Sequence, residues 1–215
     1  MPEPHFRDDT DRLTWADTQA GYHRPPAWLR PKTILDLGCN AGFTLLDFRE
    51  LYPDAEIWAA EMDLDNFLIA NGNVGDDPLI HIFNVAIASE NGIAKYDGEW
   101  ANNAFRIGTG TKSVCCVTLD RFCEHLPPID FAKIDIEGTE RLVFSAGGEI
   151  WPEKILALKA EIHPPYGVEE AITDLMALGY AAIPGEGHEL SVFAKDRDGV
   201  RNLVEDGADQ SHVEP

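Results

Sequence analysis

Apolar residues in this chain fall in short runs that alternate with stretches of helical spacing. Residues 33–37 (Thr-Ile-Leu-Asp-Leu) read as a strand, and 43–52 follow as a helix with Phe43, Leu46 and Leu51 on one face. Pro53 and Asp54 end that helix. The pattern then repeats: a strand at 56–61, a short helix at 64–71, a loop carrying Gly72 and Gly75, and a strand at 79–83. Further along come a helix at 118–126, capped by Thr118 with Asp120 in its first turn, and a strand at 129–136. A helix reaching Ala146, a strand at 154–162, a helix at 168–178 and two closing strands near 180–184 and 190–195 complete the series. Strands alternating with helices predict an α/β fold: a mostly parallel sheet with helices on both faces. The closing strands are joined by the short loop 185–189, which predicts an antiparallel hairpin at the sheet's end.

Two regions escape this pattern. Residues 1–32 are polar and Pro-containing, with Trp15, Tyr22 and Trp28, and form an arm that either caps a ligand cleft as a lid or docks on the sheet. Residues 88–117, rich in Gly, Asn, Ser and Thr, are the longest irregular stretch; an extra hairpin at 93–97 and 114–117 and a substrate-facing role are expected there. The domain proper is 33–196, and the polar, acidic tail 197–215 is expected to be partly disordered. His81, alternating within an apolar strand, reads as a satisfied core histidine.

Charge narrows the function. The 215 residues carry a formal net charge of −21. This opposes binding to nucleic acid or to an anionic membrane surface, where phosphates must be neutralised by Lys and Arg. The four cysteines have neither zinc-site spacing nor the look of a disulfide framework, and no long apolar run is present. A cytoplasmic protein acting on a small molecule is expected.

The candidate chemistry lies at the ends of the strands. After the first strand comes Asp36-Leu-Gly38-Cys39-Asn40-Ala-Gly42-Phe43, a tight turn into a helix. A dinucleotide turn has the spacing G-x-G-x-x-G, so that amides hold a pyrophosphate. Here the spacing is G-x-x-x-G, and a carboxylate stands two residues before the first glycine. That carboxylate would repel a pyrophosphate but suits a cationic ligand such as S-adenosylmethionine, with its sulfonium and ammonium. Cys39 reads as a small turn residue. Glu61 ends the second strand 25 residues after Asp36, where an acid accepts hydrogen bonds from ribose hydroxyls; Met62 follows it. Asn84, at the end of the third strand, is the candidate adenine contact, and Val85 beside it is a further cofactor-binding candidate. Methyl transfer to a hydroxyl needs aligned reactants and a group that takes up one proton. In Lys133-Ile-Asp135-Ile-Glu137 and in Glu161-Ile-His163 alternate residues share a face, so both clusters can flank the donor. Asp135, Glu161 and His163 are the catalytic candidates, Asp135 also a candidate cofactor contact; Lys133 and Glu137 are candidates for holding substrate, Lys133 also for a structural ion pair and Glu137 for capping the following helix. Asp135, Glu161 and His163 have the chemistry of a metal set, but two loosely spaced groups are thin evidence, and no metal is expected.

With these residues in view the sequence resembles the FkbM-type methyltransferases over residues 33–195. The most specific part is 129–140, Ile-Asp-Phe-Ala-Lys-Ile-Asp-Ile-Glu-Gly-Thr-Glu, similar to the family's D-x-x-K-I-D-V-E-G-x-E segment. Residues 117–120 match its T-L-D element, Asp36-x-Gly38-x-x-x-Gly42 its donor loop, and 161–163 its fifth strand end. The resemblance implies a Rossmann-like class I fold with a seven-stranded sheet and S-adenosylmethionine as donor. It also implies O-methylation of a hydroxyl on a sugar or natural product. A binding module that keeps the fold without catalysis is the alternative.

Overall fold

The computed structural model describes residues 4–98, 105–108, 110–183 and 190–195. The chain runs through helix α1 (Asp9–Gln19), strand β1 (Thr33–Leu37), α2 (Phe43–Leu51), β2 (Glu56–Ala60), α3 (Leu64–Val74) and β3 (Ile80–Phe83). Four strands follow: β4 (Ala86–Ile87), β5 (Gly92–Gly98), β6 (Phe105–Gly108) and β7 (Lys112–Val117). Then come α4 (Leu119–Cys123), β8 (Ile129–Ile134), α5 (Glu140–Ala146), α6 (Trp151–Lys154) and β9 (Ile155–Glu161). The helix α7 (Val168–Ala177) and the strands β10 (Tyr180–Ile183) and β11 (Leu190–Lys195) close the fold.

Seven strands form one sheet in the order β10-β11-β9-β8-β1-β2-β3. β1 pairs in parallel with β2 and β8, and β8 with β9, whereas β11 runs antiparallel to both β9 and β10. Central parallel strands are covered on both faces, so they read as nearly unbroken apolar runs. Alternate residues serve opposite layers. Ile34, Ile57 and Phe131 pack with Leu45 and Phe48 of α2 and Ala70 of α3. Leu35, Ala132 and Leu158 pack on the other side with Phe144, Trp151 and Leu175. Between β1 and β8 the strand order reverses, opening a crevice at the C-terminal strand ends, where a ligand is bound in such sheets.

Several expectations need correction. The arm contains the helix α1, hidden from pattern analysis because it buries little apolar surface; its buried residues are Asp11 and Thr18. Polar and aromatic contacts hold it instead. Arg7 donates to Asp11 and to Asn66 of α3, and Phe6 and Trp15 lie 5.5 and 5.9 Å from the Phe43 ring. Helix α3 extends to Val74 and takes in Gly72, because tertiary packing overrides a modest glycine penalty. The stretch 88–117 carries the expected pairing of β5 with β7, but within a four-stranded sheet, β4-β7-β5-β6. His81 is not a core residue. It sits on the edge strand β3, partly exposed, 4.2 Å from the Trp58 ring and 3.3 Å from Glu56 Oε1. Asp120 reaches beyond its own helix and accepts hydrogen bonds from the amides of Glu149, Ile150 and Trp151. The loop 185–189 and the tail 197–215 lie outside the described residues.

Candidate active site

A cavity of ≈ 270 Å³ opens at the crevice, walled by the glycine turn, the ends of β2 and β8, and the arm. The turn after β1 is tight because Gly38, at φ +82°, lies against strand β8: a Cβ there would sit 1.8 Å from the Asp135 carbonyl oxygen. The amides of Gly38 and Cys39 both donate to the Ala60 carbonyl, and Gly42, at φ +81°, starts α2. The turn is thus clamped to both neighbouring strands.

Glu61 faces the cavity from the end of β2 and is 5% exposed. Its two carboxylate oxygens accept the amides of Asn40 and Asp63, each at 2.8 Å. Burial raises its pKa to about 7 even though those amides and Lys133 favour the charge. Asn40 Oδ1 is buried in the turn with no hydrogen-bond partner. A carboxylate, an unpartnered amide oxygen and close-packed glycine backbone fit the ribose and amino-acid parts of S-adenosylmethionine. Gly38, Cys39, Asn40, Phe43, Met62 and Val85 also line the cavity.

Two donor-side expectations come out differently. Asp36 is fully buried behind the turn and does not line the cavity; Lys133 Nζ stands 3.3 Å from Oδ1, and the Thr44 hydroxyl donates to Oδ2. It is a counter-charge to Lys133. Asn84 donates its side-chain amide to the carbonyls of Glu61 at 2.9 Å and Met62 at 3.1 Å. It shapes the wall from behind.

At the opposite end, carboxylates gather around two cations. Lys133, 3% exposed, lies 3.3 Å from Asp36 and 3.5 Å from Asp135 and donates to the Gly38 carbonyl at 2.5 Å. Burial works against its charge, but Asp36 and Asp135 outweigh it and hold its pKa above the ordinary lysine range. Lys133 thus forms a structural ion pair as well as lining the cavity. His163 Nδ1 pairs with Glu140 at 2.9 Å, and its Nε2 lies 3.3, 3.7 and 3.9 Å from Glu137, Glu161 and Asp135. Burial would lower its pKa, yet Glu140 and the other acids raise it to about 9. At neutral pH His163 is therefore a cation that orders carboxylates, a poor proton acceptor, and it does not line the cavity. Asp135, Glu137 and Glu161 do line it. Glu137, at φ +54°, is pushed up to about 7 by burial and then by Asp135.

Two residues here are not singled out by sequence pattern. Glu140 is fully buried and ties the turn after β8, accepting the amides of Ile136 and Gly138 while holding His163. Its appearance within the 129–140 segment was the available signal. His23 enters from the arm, where nothing local marks it. Burial, then Lys133, lowers its pKa to about 3, and its Nδ1 is buried without a hydrogen-bond partner.

Comparison with known proteins agrees with this geometry. The model of the methyltransferase FkbM domain matches residues 37–180. An O-methyltransferase family protein from Burkholderia thailandensis is similar in structure, with a TM-score of 0.53 and 11% identity over 87% of this chain and 57% of that one. The present chain therefore spans little more than half of that protein. The fibrillarin pre-rRNA processing protein of Methanococcus jannaschii gives a TM-score of 0.50 and 11% identity, over 82% of this chain and 71% of that one. At such identities the likeness concerns the fold alone. No curated protein matches the sequence. With residues 37–180 matched on a sheet of this order, the chain belongs to the FkbM methyltransferase family and is an S-adenosylmethionine-dependent methyltransferase of class I fold.

Proposed function

We propose that the protein methylates a hydroxyl group on a sugar or natural-product small molecule. The observation that carries this reading is Asp135. It ends β8 at the wall of the cavity with Oδ1 buried and lacking a hydrogen-bond partner, where an acceptor hydroxyl would supply one. Bound S-adenosylmethionine supplies the electrophilic methyl group. On the donor side Glu61 accepts the ribose hydroxyls, while the turn 38–43 and Met62 and Val85 enclose the rest. On the acceptor side Asp135 orients the hydroxyl and receives its hydrogen bond, with Glu137 and Glu161 beside it for neighbouring hydroxyls. His163 is a positioning residue that holds these acids in place.

The charge of −21 supports a small acceptor over nucleic acid. Among the described residues no helix is long and apolar enough to cross a membrane, and all four cysteines are free thiols; both agree with a cytoplasmic location. The test is transfer of labelled methyl from S-adenosylmethionine to glycosides and hydroxylated natural products, with matched amines alongside. Ether products with release of S-adenosylhomocysteine are expected. Methylation of the amines with the hydroxyl compounds untouched would overturn the assignment of oxygen.

A further inference from the structure

Three residues from distant parts of the chain converge at the acceptor end of the cavity: His23 of the arm, Asp135 after β8 and Glu161 at the end of β9. One ligand atom from each lies within 4.8 Å of the others. Donors bound to one ion at about 2.1 Å stand roughly 3 to 4.2 Å apart, from adjacent to opposite positions, so atoms within 4.8 Å of one another are near the spacing that one ion requires.

Two of these atoms have nothing to bond to. His23 Nδ1 and Asp135 Oδ1 are buried and have no hydrogen-bond partner. Leaving such a group unsatisfied is costly, and an ion or water between two of them is the usual remedy. The histidine is also held firmly. Lys159 donates to the Tyr22 carbonyl at 2.5 Å, and Arg24 Nη2 lies 2.6 Å from Asp47, so the residues on either side of His23 are both anchored. Among the described residues, five carboxylates (Asp36, Asp135, Glu137, Glu140, Glu161) gather around Lys133 and His163, while Lys133 and Lys159 are the cations that act on His23.

We propose that His23, Asp135 and Glu161 form a divalent-cation site that completes the acceptor end of the cavity. One imidazole and two carboxylates suit a borderline first-row ion, with Mn²⁺ preferred to Ca²⁺. The other grouping with ligand chemistry among the described residues is Asp135, Glu140 and His163. It is already internally bonded, since His163 Nδ1 pairs with Glu140, which also accepts two amides. An ion there would have to break those bonds. An ion on the His23 set keeps open positions toward the cavity. Paired oxygen donors, such as the vicinal hydroxyls of a sugar ring, would fill them, and Asp135 would then act on the acceptor through the ion. This consequence for the acceptor rests on the methyl-transfer reading; binding of the ion does not.

The experiment is titration of the chelator-treated full chain with Mn²⁺, followed by the electron paramagnetic resonance signal of the free ion. One ion per chain is expected, and His23→Gln and Asp135→Asn should each raise the Kd at least about tenfold. His23→Gln lies in the arm, so its circular dichroism and its affinity for S-adenosylhomocysteine report whether the fold and donor site persist. Absence of Mn²⁺ binding, or binding unchanged in a folded His23→Gln variant, would overturn the site. Full methyl transfer to a hydroxyl in excess chelator would overturn the ion's part in acceptor binding while leaving the proposed reaction standing. Binding that depends on His23, without transfer to any hydroxyl, would keep the ion site and remove the reaction.

Discussion

The α-carbon of Gly38 and the carbonyl oxygen of Asp135 are in direct contact across β1 and β8, close enough that a Cβ on residue 38 would lie 1.8 Å from that oxygen. The backbone that encloses the donor and the backbone that carries the acceptor-side acid are therefore one packed unit. The left-handed φ of +82° adds a second reason for glycine. Gly38→Ala should cost about 3 kcal/mol or more of stability through overpacking and strain. Urea denaturation checks this, and a loss below about 1 kcal/mol would mean that the turn moves freely away from β8.

Lys133 is the ammonium shared by both halves of the site. Replacing it by methionine leaves Asp36 buried and uncompensated, and removing one partner of a buried pair costs about 3–5 kcal/mol. The double variant Lys133→Met, Asp36→Leu should recover much of that loss. Chemical denaturation of the wild type, both single variants and the double variant gives the coupling; equal instability of Lys133→Met and the double variant would show that Asp36 is not the group left stranded.

Glu61 titrates near neutrality, with its pKa raised from 4.5 to about 7 by burial. Its protonated form is favoured in the folded chain, so this group's contribution is full below pH 4.5 and is lost as pH rises through 7. Ribose hydroxyls prefer the ionised form, so affinity for S-adenosylhomocysteine should rise between pH 6 and 8 by roughly tenfold at most. Glu61→Gln should weaken binding and flatten that dependence. Calorimetric titration at both pH values is the measurement, and a variant that keeps the full pH dependence would take Glu61 out of donor binding.

His163 works in the opposite sense. Its pKa is raised from 6.5 to about 9, chiefly by Glu140 acting against burial. Its stabilisation is complete below pH 6.5 and disappears as pH rises through 9. We expect the metal-free protein to lose about 1–2 kcal/mol over that window, after allowing for partial solvent screening. In His163→Gln this loss should vanish while the wild-type slope persists in an unrelated surface variant. Thermal unfolding across pH 6–9.5 in the presence of chelator makes the comparison.

Arg24 pins the arm to α2 through the buried Asp47. Arg24→Ala should free the residues around His23, cost about 1–3 kcal/mol by leaving the buried Asp47 with the Gln19 amide but no counter-charge, and raise the rate of limited proteolysis near residue 24. Donor affinity should fall less than acceptor affinity, because His23, next to Arg24, stands beside Asp135 and Glu161, whereas the arm's contacts with the donor turn run through Phe6 and Trp15. Unaltered proteolysis would mean that Lys159 and the aromatic contacts hold the arm without this pair.

Much of this molecule follows from local chemistry. The apolar runs of β1, β2, β8 and β9, the helical face of α2 and the Thr118 cap each declare themselves within a few residues, and strands alternating with helices leave few sheet topologies open. The glycine spacing after Asp36 and the acid ending β2 pointed to the donor side because backbone reach and strand periodicity are properties of neighbouring residues. What tertiary structure decided depends on contacts between residues far apart in sequence. Helix α1 buries almost no apolar face and exists through Arg7, Asp11 and Asn66. Asp36 is buried behind the turn, where it is a counter-charge to Lys133, 97 positions away. His163 became a clamp once Glu140 was folded against it. His23 was invisible in an arm without periodicity, since its meaning comes from Asp135 and Glu161, more than 100 residues further on. Pattern is set by short-range sterics and burial, whereas the charge state and role of a side chain are set by whichever partners the finished fold brings within a few ångströms.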